Sequence, residues 1–412
     1  MEDIWDVVVI GAGAAGLMAG IAAARAGARV LLLEKNRKAG VKILMSGGTR
    51  CNITQNTDNR GIIQAFGANG KFLHSSLAAF GVEETLVFFN SAGVATKVEP
   101  TGKIFPQSDK ALDVLNALLG EFLRAGGVLS LAESLQNLDS WGEGFSLATA
   151  NRRLHAKKII ITTGGLSFPG CGTTGDGYRF ATQFGHGLIP TFPALAPLQT
   201  NLPWVSGLRG VTIPDVEVTA CSNGAPKGKN RGSLLFAHFG LSGPVILNVS
   251  KNLTTLGDYP GATLSLDFLP GIPEPQLEER IMESTRVDGK KMIANSLGDL
   301  LPKSLVEAVL AQGGFALEKK CAGLTKEERR RMVQGFKRCR IPISGSLGYA
   351  KAEVTTGGIP LSEVDSRNLQ SKIRQRLYFA GEILDLDGLI GGYNFQAAWS
   401  TGYLAGVSAA RD

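Results

Sequence analysis

The sequence predicts an α/β protein: a dinucleotide-binding domain of residues 1–190 and 345–412, interrupted by a β-rich module (191–270) and then a helical, basic module (271–344). Three observations predict this arrangement. A strand, a glycine loop, a helix, a second strand and an acid follow one another at the start of the chain. Two later apolar strands, far apart in sequence, also run into glycines. Between about residues 190 and 344 the strand–helix–strand rhythm stops.

The first element is Val7-Val8-Val9-Ile10, an unbroken β-branched run of the kind a buried parallel strand needs. Gly11-x-Gly13-x-x-Gly16 follows, then an Ala-rich helix to about Arg25 with a stop at Gly27, then a strand from Arg29 to Leu33 ending at Glu34; Ala14, Ala15 and Lys35 join the expected cofactor contacts. Gly11 allows the tight turn, Gly13 lets a diphosphate approach the backbone, and Gly16 lets helix and strand pack closely. The helix N-terminus offers free N–H groups and partial positive charge to that diphosphate. Glu34 stands where it can accept both hydroxyls of an adenosine ribose, and its charge disfavours a 2′-phosphate.

FAD, rather than NAD, is expected from two later segments. Ile159-Ile160-Ile161 ends in Thr162-Thr163-Gly164-Gly165, and Leu377-Tyr378-Phe379 ends in Ala380-Gly381-Glu382. Gly391-Gly392-Tyr393-Asn394-Phe395-Gln396 then opens a last helix, whose N-terminus favours the negative charge of a reduced flavin ring. A fold completed only by its final segment suits a cofactor that stays bound. No second complete glycine fingerprint is visible, so NADH or NADPH is expected as a transient reductant that visits the cleft and leaves, a ping-pong order.

Composition excludes several classes. With 44% apolar and 19% charged residues the 412-residue chain is neither disordered nor a coiled coil, and its 53 glycines have no collagen period. Five dispersed cysteines and four histidines form no zinc or disulfide spacing, so no metal is expected. The start, Met1 to Asp6, has no basic leader, and no apolar run approaches about 18 residues, so a soluble cytoplasmic protein is expected.

In the interrupting region, Val211–Cys221 and Thr263–Leu269 read as strands, and Leu277–Met282, Leu305–Leu310 and Lys326–Arg338 as helices. Lys319–Arg340 contains nine Lys/Arg and two Glu, a surplus equal to the whole chain's formal charge of +7. A smaller cluster, Lys227, Lys229 and Arg231, lies on a Gly/Asn-rich loop. A charge run can simply be a solvated helix face. Beside a substrate cleft it also suits a polyanion, with Lys229, Arg231, Arg329, Arg330, Lys337 and Arg338 as the expected contacts.

Along essentially its full length the chain resembles the BaiN/RdsA-type family of NAD(P)/FAD-dependent oxidoreductases. The resemblance rests on Asp6–Lys35, on Lys42 to Asn52 (K-I-L-M-S-G-G-T-R-C-N), on Gly170–Tyr178, on Leu235–Pro244 and on Tyr378–Gly406. Thr49 stands where members often have glycine. The resemblance implies a glutathione-reductase-like, Rossmann-like FAD domain with an inserted domain covering the flavin face. It also implies a C=C reductase, acting either on uridine of 23S ribosomal RNA or on small enones of bile-acid type.

Cofactor contacts are expected from Lys42, Ser46, Gly47, Gly48, Arg50, Cys51, Asn52, Thr163, Gly164, Gly165, Asp176, Gly381, Glu382, Gly392, Tyr393, Asn394 and Gln396, beside the fingerprint residues. For the proton that accompanies hydride, Cys51 and His238 are the candidates: Arg50 would lower the thiol pKa, and an imidazole suits acid work. Both side chains have plain packing roles as alternatives. His74, His155 and His186 show no constellation. A flavin oxidase of amines or ketones, and a ribosome-associated factor with structural FAD, are the competing functions.

Overall fold

The computed structural model describes residues 4–287 and 289–411; Met1 to Asp3 of the N-terminal reading lie outside them. The chain divides into two compact units, Met1–Phe192 with Glu353–Asp412, and Pro193–Ala352.

In the first unit the apolar run at the start forms strand β1 (Ile4–Ile10), followed by helix α1 (Ala14–Arg25) and strand β2 (Val30–Leu33). β1 lies between β2 and the strand Arg153–Ile161, parallel to both, with Val8 opposite Leu31 and Ile159. Val128–Ser130 adds to β2 and Leu377–Phe379 adds to Arg153–Ile161, both parallel. The hairpin of Leu135–Trp141 and Gly144–Thr149 completes the seven strands in antiparallel fashion. Parallel strands with both faces covered must be apolar throughout, and Val7, Val8, Val9, Leu31, Leu32, Ile159, Ile160 and Ile161 are all fully buried.

The last helix, Tyr393–Arg411, closes this core against α1. Its approach depends on glycine: a Cβ at Gly402 would lie 2.4 Å from the Ala15 carbonyl oxygen, and one at Gly406 2.3 Å from that of Ala19. Trp399, completely buried on the same helix, donates its indole N–H to the Ile53 carbonyl at 3.0 Å.

The second unit is built on an antiparallel seven-stranded sheet in the order Cys339–Pro342, Ala262–Asp267, Thr212–Ser222, Ala225–Ala237, Gly240–Ser242, Leu198–Gln199, Gly345–Ser346. Helices Pro244–Thr254, Glu274–Val287, Lys303–Gln312 and Lys326–Lys337 belong to the same unit. Its β and helical segments share one hydrophobic cluster, in which Val218, Phe236 and Leu264 of the strands join Leu277, Leu305 and Phe336 of the helices. No single helix among the described residues is long and apolar enough to cross a membrane.

Candidate functional site

The loop after β1 is shaped to receive an anion. Gly13 caps α1 without any side-chain hydrogen bond, so the first-turn amides at Ala14, Ala15 and Gly16 have no side-chain acceptor at the cap. A Cβ on Gly13 would meet nothing within 4 Å, whereas one on Gly16 would stand 1.8 Å from the Gly11 carbonyl oxygen. The first glycine therefore leaves open space for a ligand and the second serves packing. Glu34 is 8% exposed and accepts from the amides of Ala12 at 2.9 Å and Asn36 at 2.8 Å. These bonds fix the carboxylate's orientation and leave lone pairs for a ribose.

Among the buried side-chain polar atoms without a hydrogen-bond partner are two from the expected cofactor contacts, Asn52 Oδ1 and Thr163 Oγ1. An unsatisfied buried group of this kind costs about 1–3 kcal/mol, which a polar ligand offsets. Gly164 (φ +72°), Gly381 (φ +78°) and Gly392 (φ +95°) are left-handed, and a Cβ at Gly392 would lie 2.6 Å from the Thr54 carbonyl. Open glycine space, a bare helix N-terminus, an oriented acid and orphan polar atoms together fit an FAD.

Two ion pairs join residues that the sequence could identify only separately. Lys42 Nζ donates to Glu382 at 2.6 Å and to Ser167 Oγ at 2.8 Å, and Ser167 Oγ is in turn 2.6 Å from the other Glu382 oxygen. The Thr355 amide also donates to Glu382, at 3.0 Å. Lys35 Nζ meets Asp176 at 2.5 Å and Thr174 Oγ1 at 2.6 Å, fastening the end of β2 to the start of the helix Asp176–Gln183.

The segment Val41–Thr49 begins as a helix and breaks at Ser46, Gly47 and Gly48. Ser46 Oγ donates back to the Ile43 carbonyl at 2.8 Å. Thr49 (φ +69°) and Cys51 (φ +62°) both occupy the left-handed region, a strained conformation for a β-branched residue. Thr49 thus adopts a backbone that glycine would take freely.

The expectation of an acidified Cys51 is corrected here. Cys51 has no exposed surface, and its burial pushes the thiol up to about 12, against a smaller opposing effect of Ser46. Arg50 is engaged elsewhere, by Glu99 at 2.6 Å and Asp109 at 3.3 Å, with its guanidinium over the Phe105 ring. A thiol of that pKa is almost entirely protonated at physiological pH, and the thiolate is the reactive form. Peptide mapping after treatment of the native protein with a thiol reagent at mildly alkaline pH is therefore expected to find Cys51 unmodified. Labelling at the rate of an exposed thiol would contradict this burial.

Other expected contacts are occupied by the fold itself. Gln396, fully buried, exchanges hydrogen bonds with Thr54, Thr85 and Ser400, so its amide holds the last helix rather than presenting a free edge. Asn394 is tied to Gly388 through both ends of its amide, accepting at 2.8 Å and donating at 3.1 Å. Tyr393 is half-buried, which raises its phenol pKa.

In the second unit, His238 is exposed in the turn joining Ala225–Ala237 to Gly240–Ser242, with its ring edge against Phe239. The basic set is thinner than its sequence suggests. Lys337 leaves it: the side chain is 8% exposed, pairs with Asp267 at 2.6 Å and donates to the carbonyls of Leu269 and Ile272. Lys229 pairs with Glu217, Arg231 with Asp215 and Arg338 with Glu274. Arg329 donates to the Leu324 carbonyl at 2.9 Å. Arg330 is exposed and has no ion pair among the described residues, as are Lys227, Lys320, Lys326 and Arg340.

One histidine without a visible motif proves to have partners. His186, buried, is 2.9 Å from Glu363 and 2.7 Å from Ser371 Oγ, a network that ties together the segments before and after residue 360. Desolvation lowers its pKa. Its partners are too distant in sequence for any spacing rule to find. Among the described residues no group of His, Cys, Asp and Glu could hold a metal ion.

Comparison with known proteins agrees with this geometry. The chain is 35% identical to the ribosomal RNA dihydrouridine synthase of Escherichia coli over 97% of its own length and 96% of that protein's. It is 31% identical to the 3-dehydro-bile acid delta(4,6)-reductase of Clostridium scindens, over 98% of both chains. Among solved structures, the 3-ketosteroid delta1-dehydrogenase of Sterolibacterium denitrificans shares the fold, with a TM-score of 0.54 at 13% identity over 99% of both chains. The first unit is thus a Rossmann-type FAD-binding domain. Residues 5–408 match the model of the HI0933-like protein Rossmann domain, and the chain belongs to that family, the one its motifs resemble under the name BaiN/RdsA.

Proposed function

We propose that this protein is an FAD-dependent oxidoreductase that uses NAD(P)H to reduce an activated C=C bond, with uridine of 23S ribosomal RNA as its substrate. The observation that carries the reading is the full-length similarity, at 35% identity, to a ribosomal RNA dihydrouridine synthase. The exposed, unpaired Lys320, Lys326, Arg330 and Arg340 support it, because an RNA substrate demands uncompensated positive charge. The similarity to a bile-acid reductase favours small enones as a second substrate class. Both reactions place hydride on the β-carbon of a conjugated carbonyl and a proton on the α-carbon.

Bound FAD would supply the hydride equivalent. The α1 N-terminus and Gly13 would hold its diphosphate, Glu34 its ribose, and Asn52 and Thr163 would lend their unpaired oxygens. Lys42 and Glu382, fixed on each other and on Ser167, would orient polar groups of the cofactor's central part. A uracil must leave its stack to reach such a site, at a cost of a few kcal/mol that backbone charge contacts help offset.

Anaerobic mixing of the FAD-loaded protein with NADH or NADPH tests the reductase part. Bleaching of the flavin followed by its return on adding RNA or an enone is the expected result. A flavin that neither nucleotide bleaches would instead mark the FAD as structural.

A further inference from the structure

We propose that Glu353 is the general acid of the reaction, delivering the proton to the substrate carbon next to the one that receives hydride. The inference rests on the C=C reductase reading above and assigns a role the sequence motifs gave to Cys51 or His238.

Glu353 immediately precedes the strand Val354–Gly358 and stands two residues before the fully buried Thr355. Thr355 Oγ1 accepts from the amides of Leu166 and Ser167, and its own amide donates to Glu382. The Glu353 carbonyl is 3.4 Å from Ser167 Oγ. Glu353 therefore adjoins the Lys42–Ser167–Glu382 cluster, whose members come from three separate stretches of chain.

Three properties set this carboxyl apart from the other acids of the unit. It is exposed to solvent. It has no hydrogen bond or ion pair among the described residues, unlike Glu34, Glu99, Glu133 and Glu382. Protein atoms nevertheless crowd around it, and the desolvation raises its pKa despite Lys42 and Lys103, the charged groups whose attraction opposes the shift. An accessible, unpartnered carboxyl beside a buried polar cluster, displaced toward the protonated form, is the pattern a proton donor needs. Cys51, by contrast, is sealed from solvent with a thiol pushed up to about 12.

The balance is simple. The carboxyl O–H bond breaks, a C–H bond forms at the α-carbon, and the carboxylate regains its proton from water. The hydride equivalent comes from the reduced flavin, so the substrate gains two hydrogens and the flavin is oxidised.

Glu353→Gln keeps shape and removes the acid. Two measurements decide. In single-turnover mixing of the pre-reduced protein with substrate, E353Q is expected to slow flavin reoxidation by about 100-fold or more, the usual scale of one general acid, with FAD content per chain as the folding control. In the FAD-free protein, the infrared band of a protonated carboxyl is expected to titrate above the ordinary carboxylate range and to vanish in E353Q. Reoxidation within about threefold of wild type overturns the inference while leaving the reductase reading intact. If the wild-type flavin reacts with neither RNA nor enone, the reductase reading fails. The infrared titration then still judges Glu353, and a carboxyl ionising in the ordinary range overturns its assignment.

Discussion

Gly13→Ala and Gly16→Ala, three residues apart in one motif, are expected to fail in opposite ways. A methyl at Gly13 meets open space, and the backbone there (φ −82°, ψ −166°) suits any residue. The FAD-free G13A protein should melt at or slightly above wild type, since alanine narrows the unfolded ensemble by about 0.4–1 kcal/mol. Its methyl would occupy the place of the diphosphate. Losing one or two charge-assisted hydrogen bonds, at about 1.5–3 kcal/mol each, lowers FAD affinity by about 10-fold at least and by about 20,000-fold at most. A methyl at Gly16 lies 1.8 Å from the Gly11 carbonyl oxygen and 2.6 Å from Thr162 Oγ1. It must push the loop off β1, an overpacking cost of about 1–3 kcal/mol or more, so G16A should melt lower even without FAD. Melting curves of both FAD-free variants, paired with flavin content after reconstitution, check this. Equal melting losses would contradict the division of labour between the two glycines.

The second large effect concerns RNA. Replacing Lys320, Lys326, Arg330 and Arg340 together by serine should weaken binding to 23S rRNA fragments and flatten its salt dependence. If each side chain neutralises one phosphate, the slope of log affinity against log salt falls by about 3. Wild type would then lose about 100-fold more affinity than the variant between 50 and 200 mM salt. The same replacement at Lys337, Lys229, Arg231 and Arg338 should change the slope much less, because those cations already face Asp267, Glu217, Asp215 and Glu274. Filter binding at several salt concentrations distinguishes the two sets. Equal slopes for both variants would show that exposed unpaired charge is not what holds the RNA.

That contrast also shows what the sequence could and could not convey. The strand, loop and helix from Asp6 to Lys35 were legible because their signals are local: β-branched burial, glycine spacing and an acid at a set distance. The last helix was legible for the same reason, from its glycines and its small residues. Pairing is not local. Lys337 finds Asp267 and two carbonyls across the second unit, and Arg50 finds Glu99 and Asp109, so a basic run and a lowered thiol both read differently once folded. His186 gives no signal beside Gly185, because Glu363 and Ser371 come from the far side of the second unit in sequence. Glu353 lacks any motif, and what marks it is visible only in three dimensions: an unpartnered carboxyl whose own carbonyl lies beside Ser167 of the Lys42–Glu382 cluster.

Nucleoside mass spectrometry of unmodified 23S rRNA tests the central claim most directly, after anaerobic incubation with the FAD-loaded protein and NAD(P)H. The account predicts a dihydrouridine signal that disappears when protein or reductant is omitted. A flavin bleached by NAD(P)H and reoxidised by an enone, with no dihydrouridine formed in the RNA, would contradict it and move the substrate to small molecules.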